Sequence, residues 1–192
     1  MAEIERVCLD MGSFEVNSYV VHAPEAELIV DAGAEPEKIL DRLKKPVAAI
    51  LITHGHRDHV GALEEVRSET GAPVYMHPED TERVGVADYE PLEDGRDLDL
   101  GGETIKVLHT PGHSPGSVTF VVGHDQIVGD LILPGSVGRT DISGASWEEI
   151  EASIRKVMQF WDGSTRLYTG HGPVLDAMEE LETNPYLPLG VL

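Results

Sequence analysis

The chain has 192 residues, 41% of them hydrophobic, with 35 acidic against 14 basic side chains and a formal net charge of −21. That length fits one sizeable domain over residues 1–192 with enough apolar material for its own core. A surface this acidic repels phosphate backbones and anionic lipid, which argues against nucleic acid and membrane as partners and leaves a small-molecule substrate as the expectation.

The start, Met-Ala-Glu-Ile-Glu-Arg, has neither the basic nor the apolar region of an export signal, so the cytoplasm is the expected compartment. No window approaches the ~20 apolar residues of a membrane helix. Strands are expected at Ile4–Asp10, Ser18–His22 and Leu28–Asp31, separated by turn-prone residues, as an antiparallel meander at a sheet edge. Cys8, the single cysteine, lies in the first of them and reads as a buried inert thiol. With no second cysteine an internal disulfide is impossible, which suits a reducing compartment. Pro36 suits the first turn of a helix over Pro36–Leu43. The apolar run 47–52 reads as a buried strand, and a helix then runs to about Thr70, closed by Gly71. Pro73–Met76 is a short strand. The acidic stretch His77–Asp99 reads as loop with a turn of helix near Pro78–Arg83, shaping the rim of a pocket. Thr104–His109, Val118–Val122 and Gln126–Gly129 are further strands, the last two forming a hairpin. Ser146-Trp-Glu-Glu149 is a capping box opening a helix to about Phe160, with Ile150, Ile154, Val157, Met158 and Trp161 on its core face. A last strand, Arg166–Thr169, precedes a helical tail ending at Asn184-Pro185.

One stretch dominates the chemistry. Thr53-His-Gly-His-Arg-Asp-His59 packs three histidines and a carboxylate into six positions directly after a buried strand. Imidazole and carboxylate are ligands for zinc, iron and related ions. His54 and His56, two apart on extended chain, can point the same way and serve one ion. Asp58 and His59, opening the next helix, can serve a second. The same layout, a strand followed by a loop with His or Asp, recurs at 104–113, 127–130 and 166–171, so ligands from distant segments can meet at one sheet edge.

These residues together resemble the metallo-β-lactamase superfamily. Its signature Thr-His-x-His-x-Asp-His is matched by Thr53 to His59, and later ligands follow in order as His113 in Thr-Pro-Gly-His-Ser-Pro-Gly, Asp130 in Gly-Asp and His171 in Gly-His-Gly-Pro. The resemblance implies an α/β fold, a four-layer αββα sandwich with its metal site at the strand-end edge. It implies two divalent ions, zinc first, with iron or manganese as alternatives. His54, His56 and His113 would hold the first ion, Asp58, His59 and His171 the second, and Asp130 would bridge them. Asp31 resembles the family's aspartate that orients a ligand histidine.

Asp130 stands where the commonest true β-lactamases carry a cysteine ligand, so antibiotic hydrolysis is not the expectation. Gly135-Ser-Val-Gly-Arg-Thr-Asp141 and Thr183-Asn-Pro-Tyr-Leu187 look like the short glyoxalase-II-like hydrolases. The chain lacks the C-terminal helical domain of full glyoxalase II, which argues against glutathione as the thiol carrier. The implied reaction is thioester hydrolysis by a metal-bridging hydroxide, with Asp58 and Asp130 as the carboxylates of the reacting centre. The alternative is an iron-dependent persulfide dioxygenase, with one iron on His54, His113 and Asp130; a non-catalytic binding protein on the same fold is the last choice. Arg139 reads first as part of a structural turn and second as a substrate anchor. His22, His77, His109 and His124 fall outside the motifs and read as structural or exposed. The few lysines, five in all, resemble the composition of proteins from salt-loving organisms, and the oligomeric state is left open.

Overall fold

The computed structural model describes residues 2–187. Fourteen strands and six helices are present among them. In chain order these are β1 Glu3–Asp10, β2 Glu15–His22, β3 Glu27–Val30, α1 Pro36–Leu40, β4 Val47–Leu51, α2 Arg57–Val60, α3 Leu63–Thr70, β5 Val74–Met76, α4 Thr81–Val84, β6 Glu90–Pro91 and β7 Asp97–Leu100. They continue with β8 Glu103–His109, β9 Val118–Val122, β10 Asp125–Gly129, β11 Ile132–Leu133, β12 Ser136–Val137, α5 Trp147–Met158, β13 Arg166–Thr169, β14 Leu175–Asp176 and α6 Ala177–Thr183. No helix among the described residues is long and apolar enough to cross a membrane.

Two six-stranded sheets carry the fold, in the orders β1-β2-β3-β4-β5-β6 and β14-β13-β10-β9-β8-β7. Their inner faces meet in one apolar layer, where Tyr19, Leu28 and Leu51 of the first sheet join Ile105, Phe120 and Ile127 of the second. Strands covered on both faces are buried throughout, as β3, β9 and β10 are along their whole length. The outer face of the first sheet packs on Ile39 of α1 and on Leu63 and Val66 of α3. The outer face of the second packs on Ile150, Ile154, Val157 and Met158 of α5. That stripe repeats at helical spacing. The order is therefore helix, sheet, sheet, helix, the αββα sandwich expected from the sequence.

Several boundaries differ from expectation for identifiable reasons. The helix expected through Thr70 breaks after Val60 because residues 61 and 62 dock on the turn after β3: Ala62 N–H donates to Ala32 O at 2.8 Å, and a Cβ on Gly61 would lie 2.6 Å from Gly33 O. The helix expected over Pro36–Leu43 ends at Leu40, and its last turn tightens into three-residue hydrogen bonds from Arg42 to Ile39 and from Leu43 to Leu40. The stretch read as loop up to Asp99 contains β7, whose Asp-Leu-Asp-Leu alternation buries Leu98 and pairs antiparallel with β8. Only half of the capping box forms: Glu149 N–H donates to Ser146 Oγ at 3.3 Å, while that hydroxyl turns to Glu148. Cys8 is half-buried rather than buried; burial and the neighbouring Glu15 push its thiol pKa up, away from reactivity.

Candidate metal centre

Strand ends bring the cluster together. β8, β10 and β13 run parallel to one another in the second sheet, and β3 and β4 are parallel in the first. Just beyond the carboxyl ends of these five strands lie His113, Asp130, His171, Asp31 and the His54–His59 loop. All seven ligand-type side chains expected from the sequence converge there. Potential ligand atoms of His54, His56 and His113 lie within 4.8 Å of one another, as do those of Asp58, His59 and His171. Asp130 lies between the two groups, 3.4 Å from His113 Nε2, 3.6 Å from His59 Nε2 and 3.5 Å from His171 Nε2.

Hydrogen bonding fixes the tautomers of four of the histidines. His59 Nδ1–H donates to Asp31 Oδ2 at 2.7 Å, His113 Nδ1–H to the Arg139 carbonyl at 3.0 Å, and His171 Nδ1–H to the Glu15 carbonyl at 2.6 Å. Thr53 Oγ1 gives its proton to Asp31 Oδ2 at 2.7 Å and so accepts from His54 Nδ1–H at 3.0 Å. In its neutral form each of these rings therefore carries its lone pair on Nε2, the state a ligand nitrogen requires. His56 differs, presenting Nδ1 to His113 Nε2 at 2.8 Å.

His54 Nε2, His59 Nε2 and Asp130 Oδ1 are buried and have no hydrogen-bond partner. Such orphaned atoms are costly unless something else satisfies them. Bound metal ions would satisfy them, and the donor set, imidazole with carboxylate, fits zinc or iron.

The electrostatics agree. Burial, followed by the charge of His59, holds the His54 pKa well below the usual imidazole value, and burial with His113 lowers that of His56. Burial alone would raise Asp130, but the charge of His59 and the hydrogen bond from His171 outweigh it and hold the carboxyl far below its usual range. His171 is opposed by burial yet raised to about 10 by its bonds to Asp130 and Asp58. Close backbone approach completes the packing: a Cβ on Gly170 would sit 2.0 Å from Asp130 Oδ1, and one on Gly138 would sit 2.0 Å from Asp130 O.

Asp31 has a left-handed backbone, φ 59°; its Oδ1 accepts from Thr53 N–H and its Oδ2 from Thr53 Oγ1–H and His59 Nδ1–H, which ties it to the start of the ligand loop and to one ring of the cluster. The Arg139 guanidinium is exposed and forks onto Asp141 at 2.9 and 3.1 Å. Its carbonyl, the acceptor for His113, went unnoticed in the sequence, as did that of Glu15, because any residue can supply a carbonyl. His22 bonds Glu5 and Glu27, His124 bonds Asp162, and His77 stacks on His109 at 3.9 Å, all apart from the cluster. A cavity of about 640 Å³ opens onto the site, lined by Leu133 and Ile142 and by Arg57, Arg83 and Arg139.

Fold and cluster together define a metallo-hydrolase with a metal-binding site of histidines and aspartates. The chain belongs to the metallo-beta-lactamase superfamily, which it matches over residues 11–171. Among curated relatives, a probable metallo-hydrolase of Bacillus subtilis, YqgX, is 33% identical across 93% of this chain and 95% of its own length. The hydroxyacylglutathione hydrolase GloC of Haemophilus influenzae is 28% identical across 93% of this chain and 96% of its own length. Among solved structures, TTHA1623 in a di-iron-bound form is 36% identical, with a TM-score of 0.83, over 95% of this chain and 100% of that one. The B3 metallo-beta-lactamase BLEG-1 is 30% identical, with a TM-score of 0.85, over 96% of this chain and 99% of that one.

Proposed function

We propose that the chain hydrolyses a small thioester with two divalent ions, one held by His54, His56 and His113, the other by Asp58, His59 and His171, and both by Asp130. The observation that carries this reading is the set of pinned rings: His54, His59, His113 and His171 each spend Nδ1–H on a fixed acceptor, so that Nε2 is the nitrogen each turns to the cluster. When bound, such ions polarise a carbonyl and lower the pKa of water from 15.7 towards ~7. The carboxylates Asp58 and Asp130 neutralise part of the cationic charge, and Asp130, held ionised at all working pH values, has no proton to lose first. A thiolate leaving group, with a pKa near ~8.5, departs without a strong general acid, so no acid–base pair beyond the ligand set is needed.

The cavity supports a small substrate that is partly apolar and partly anionic. Leu133 and Ile142 offer apolar contact, while Arg57 and Arg83 set local positive charge against the −21 of the whole chain. Glutathione returns as a candidate carrier, since a hydroxyacylglutathione hydrolase is matched along 96% of its length. Occupancy by zinc, iron or a mixture is compatible with the donor set, and the di-iron relative supports iron.

The test is to purify the protein, count its metals, and assay acyl-thiol esters of several carriers, a β-lactam, and a persulfide with an oxygen electrode. Two ions and turnover of a thioester are expected. Oxygen consumption on a persulfide with a single iron on His54, His113 and Asp130 would overturn the reading in favour of the dioxygenase, and turnover of the β-lactam alone would overturn it in favour of a lactamase.

A further inference from the structure

Asp80 belongs to neither ligand group and follows the first turn after β5, yet it is 1% exposed. Its Oδ2 accepts from Gly55 N–H at 2.7 Å and from Ser114 Oγ–H at 2.6 Å, and its Oδ1 accepts from Gly116 N–H at 3.1 Å. Gly55 sits between His54 and His56, while Ser114 and Gly116 follow His113. One carboxylate therefore clasps both loops that carry the first ligand group. The fit is tight from both sides: a Cβ on Gly55 would meet Asp80 Cβ at 3.1 Å, and one on Gly116 would meet Asp80 Cγ at 2.7 Å. Ser114 Oγ is tied in turn to Ser117 Oγ at 2.8 Å, and Val118 N–H reaches Thr53 O at 2.8 Å, so the clasp closes on the base of both loops.

We propose that Asp80 is a positioning residue for the metal centre, its carboxylate setting the distance between the loop of His54 and His56 and the loop of His113. A buried carboxylate ordinarily needs a basic partner, and Asp80 has none in any ion pair among the described residues; it faces three donors and a centre built to hold cations. Charge and shape are both required. Gly55 and Gly116 can only donate, so an asparagine of the same size would have to turn its NH2 towards one of those N–H groups.

The inference rests on assigning the first ion to His54, His56 and His113. Zinc affinity by chelator competition, and the visible absorption spectrum of the cobalt(II)-loaded protein, would be compared for wild type, Asp80→Asn, Asp80→Ala, Ser114→Ala and, as a control on the same turn, the exposed Glu79→Gln. In folded protein the first equivalent should bind about tenfold more weakly in Asp80→Asn, more weakly still in Asp80→Ala, and detectably more weakly in Ser114→Ala. The cobalt spectrum should change with them, and Glu79→Gln should match wild type. A merely structural Asp80 would lower the melting temperature and leave both metal readouts unmoved, which would overturn the proposal. If the Asp80 variants do not fold, Ser114→Ala, which keeps the carboxylate, decides in the same way. Wild-type protein that binds no first equivalent would bring down the ligand assignment, and this inference with it.

Discussion

Asp31→Asn is a test of the tautomer argument. The side chains are nearly the same size, and asparagine tolerates the left-handed backbone at this position, so the variant should fold. Asp31 Oδ2 accepts from both Thr53 Oγ1 and His59 Nδ1, and Oδ1 accepts from Thr53 N–H. An amide cannot reproduce that pattern. With NH2 in place of Oδ2, it donates to His59 Nδ1 and to Thr53 Oγ1; the hydroxyl then turns its own proton to His54 Nδ1. Both rings are driven to carry a proton on Nε2, the nitrogen each must keep free. With the amide reversed, NH2 opposes Thr53 N–H and two donors face each other. Either arrangement breaks or inverts a buried hydrogen bond, at about 1–3 kcal/mol. At about 1.4 kcal/mol per decade, each ion should be held roughly 5- to 150-fold more weakly. Metal stoichiometry after dialysis and calorimetric titration of the metal-free protein would measure this, with circular dichroism as the check on folding. A folded Asp31→Asn protein that binds both ions as tightly as wild type would refute the reasoning.

Asp130→Ala should reduce hydrolysis by two orders of magnitude or more, since it removes the carboxylate shared by both ligand groups, whereas His124→Ala, on the far ion pair with Asp162, should leave it unchanged; equal activity in the two would contradict the assignment. Gly170→Ala places a methyl 2.0 Å from Asp130 Oδ1, so it should cost metal affinity as well as stability, and a fully metallated variant with wild-type turnover would count against the packing argument. In the metal-free protein the His171 pKa, raised to about 10, stays above its unfolded value, so its stabilisation is complete below about 6.5 and lost as the pH rises through 10. Metal binding at pH 7 must then expel that proton, and calorimetric enthalpies should vary with the ionisation enthalpy of the buffer; buffer-independent enthalpies would exclude it. Raising potassium chloride from 0.1 to 1 M shortens the screening length from ~10 to ~3 Å and should raise the melting temperature of a chain at −21, and a flat or falling temperature would remove the link between its acidity and salt.

How much the sequence disclosed depended on which atoms did the work. Where the contribution is a side-chain type, as at His54, His56, Asp58, His59, His113, Asp130 and His171, the residue letters and the apolar runs before them placed each at a strand end, and the structure brings all seven together. Long strands and α5 were legible for a similar reason, since burial forces a periodic apolar pattern. Short pairings were not: β6, β11, β12 and β14 have two residues each, too few for any period to show. The Glu15 and Arg139 carbonyls left no mark because every residue has one. Asp80 is the instructive case between these extremes. Its letter is visible, but it stands in an acidic stretch where a carboxylate is the commonest residue, and only the closure of two loops around it distinguishes it from its neighbour Glu79. Ligand identity is thus written locally, residue by residue. The spacing that makes ligands act together is written in contacts 25 to 36 positions apart, and no reading of one segment at a time could reach it.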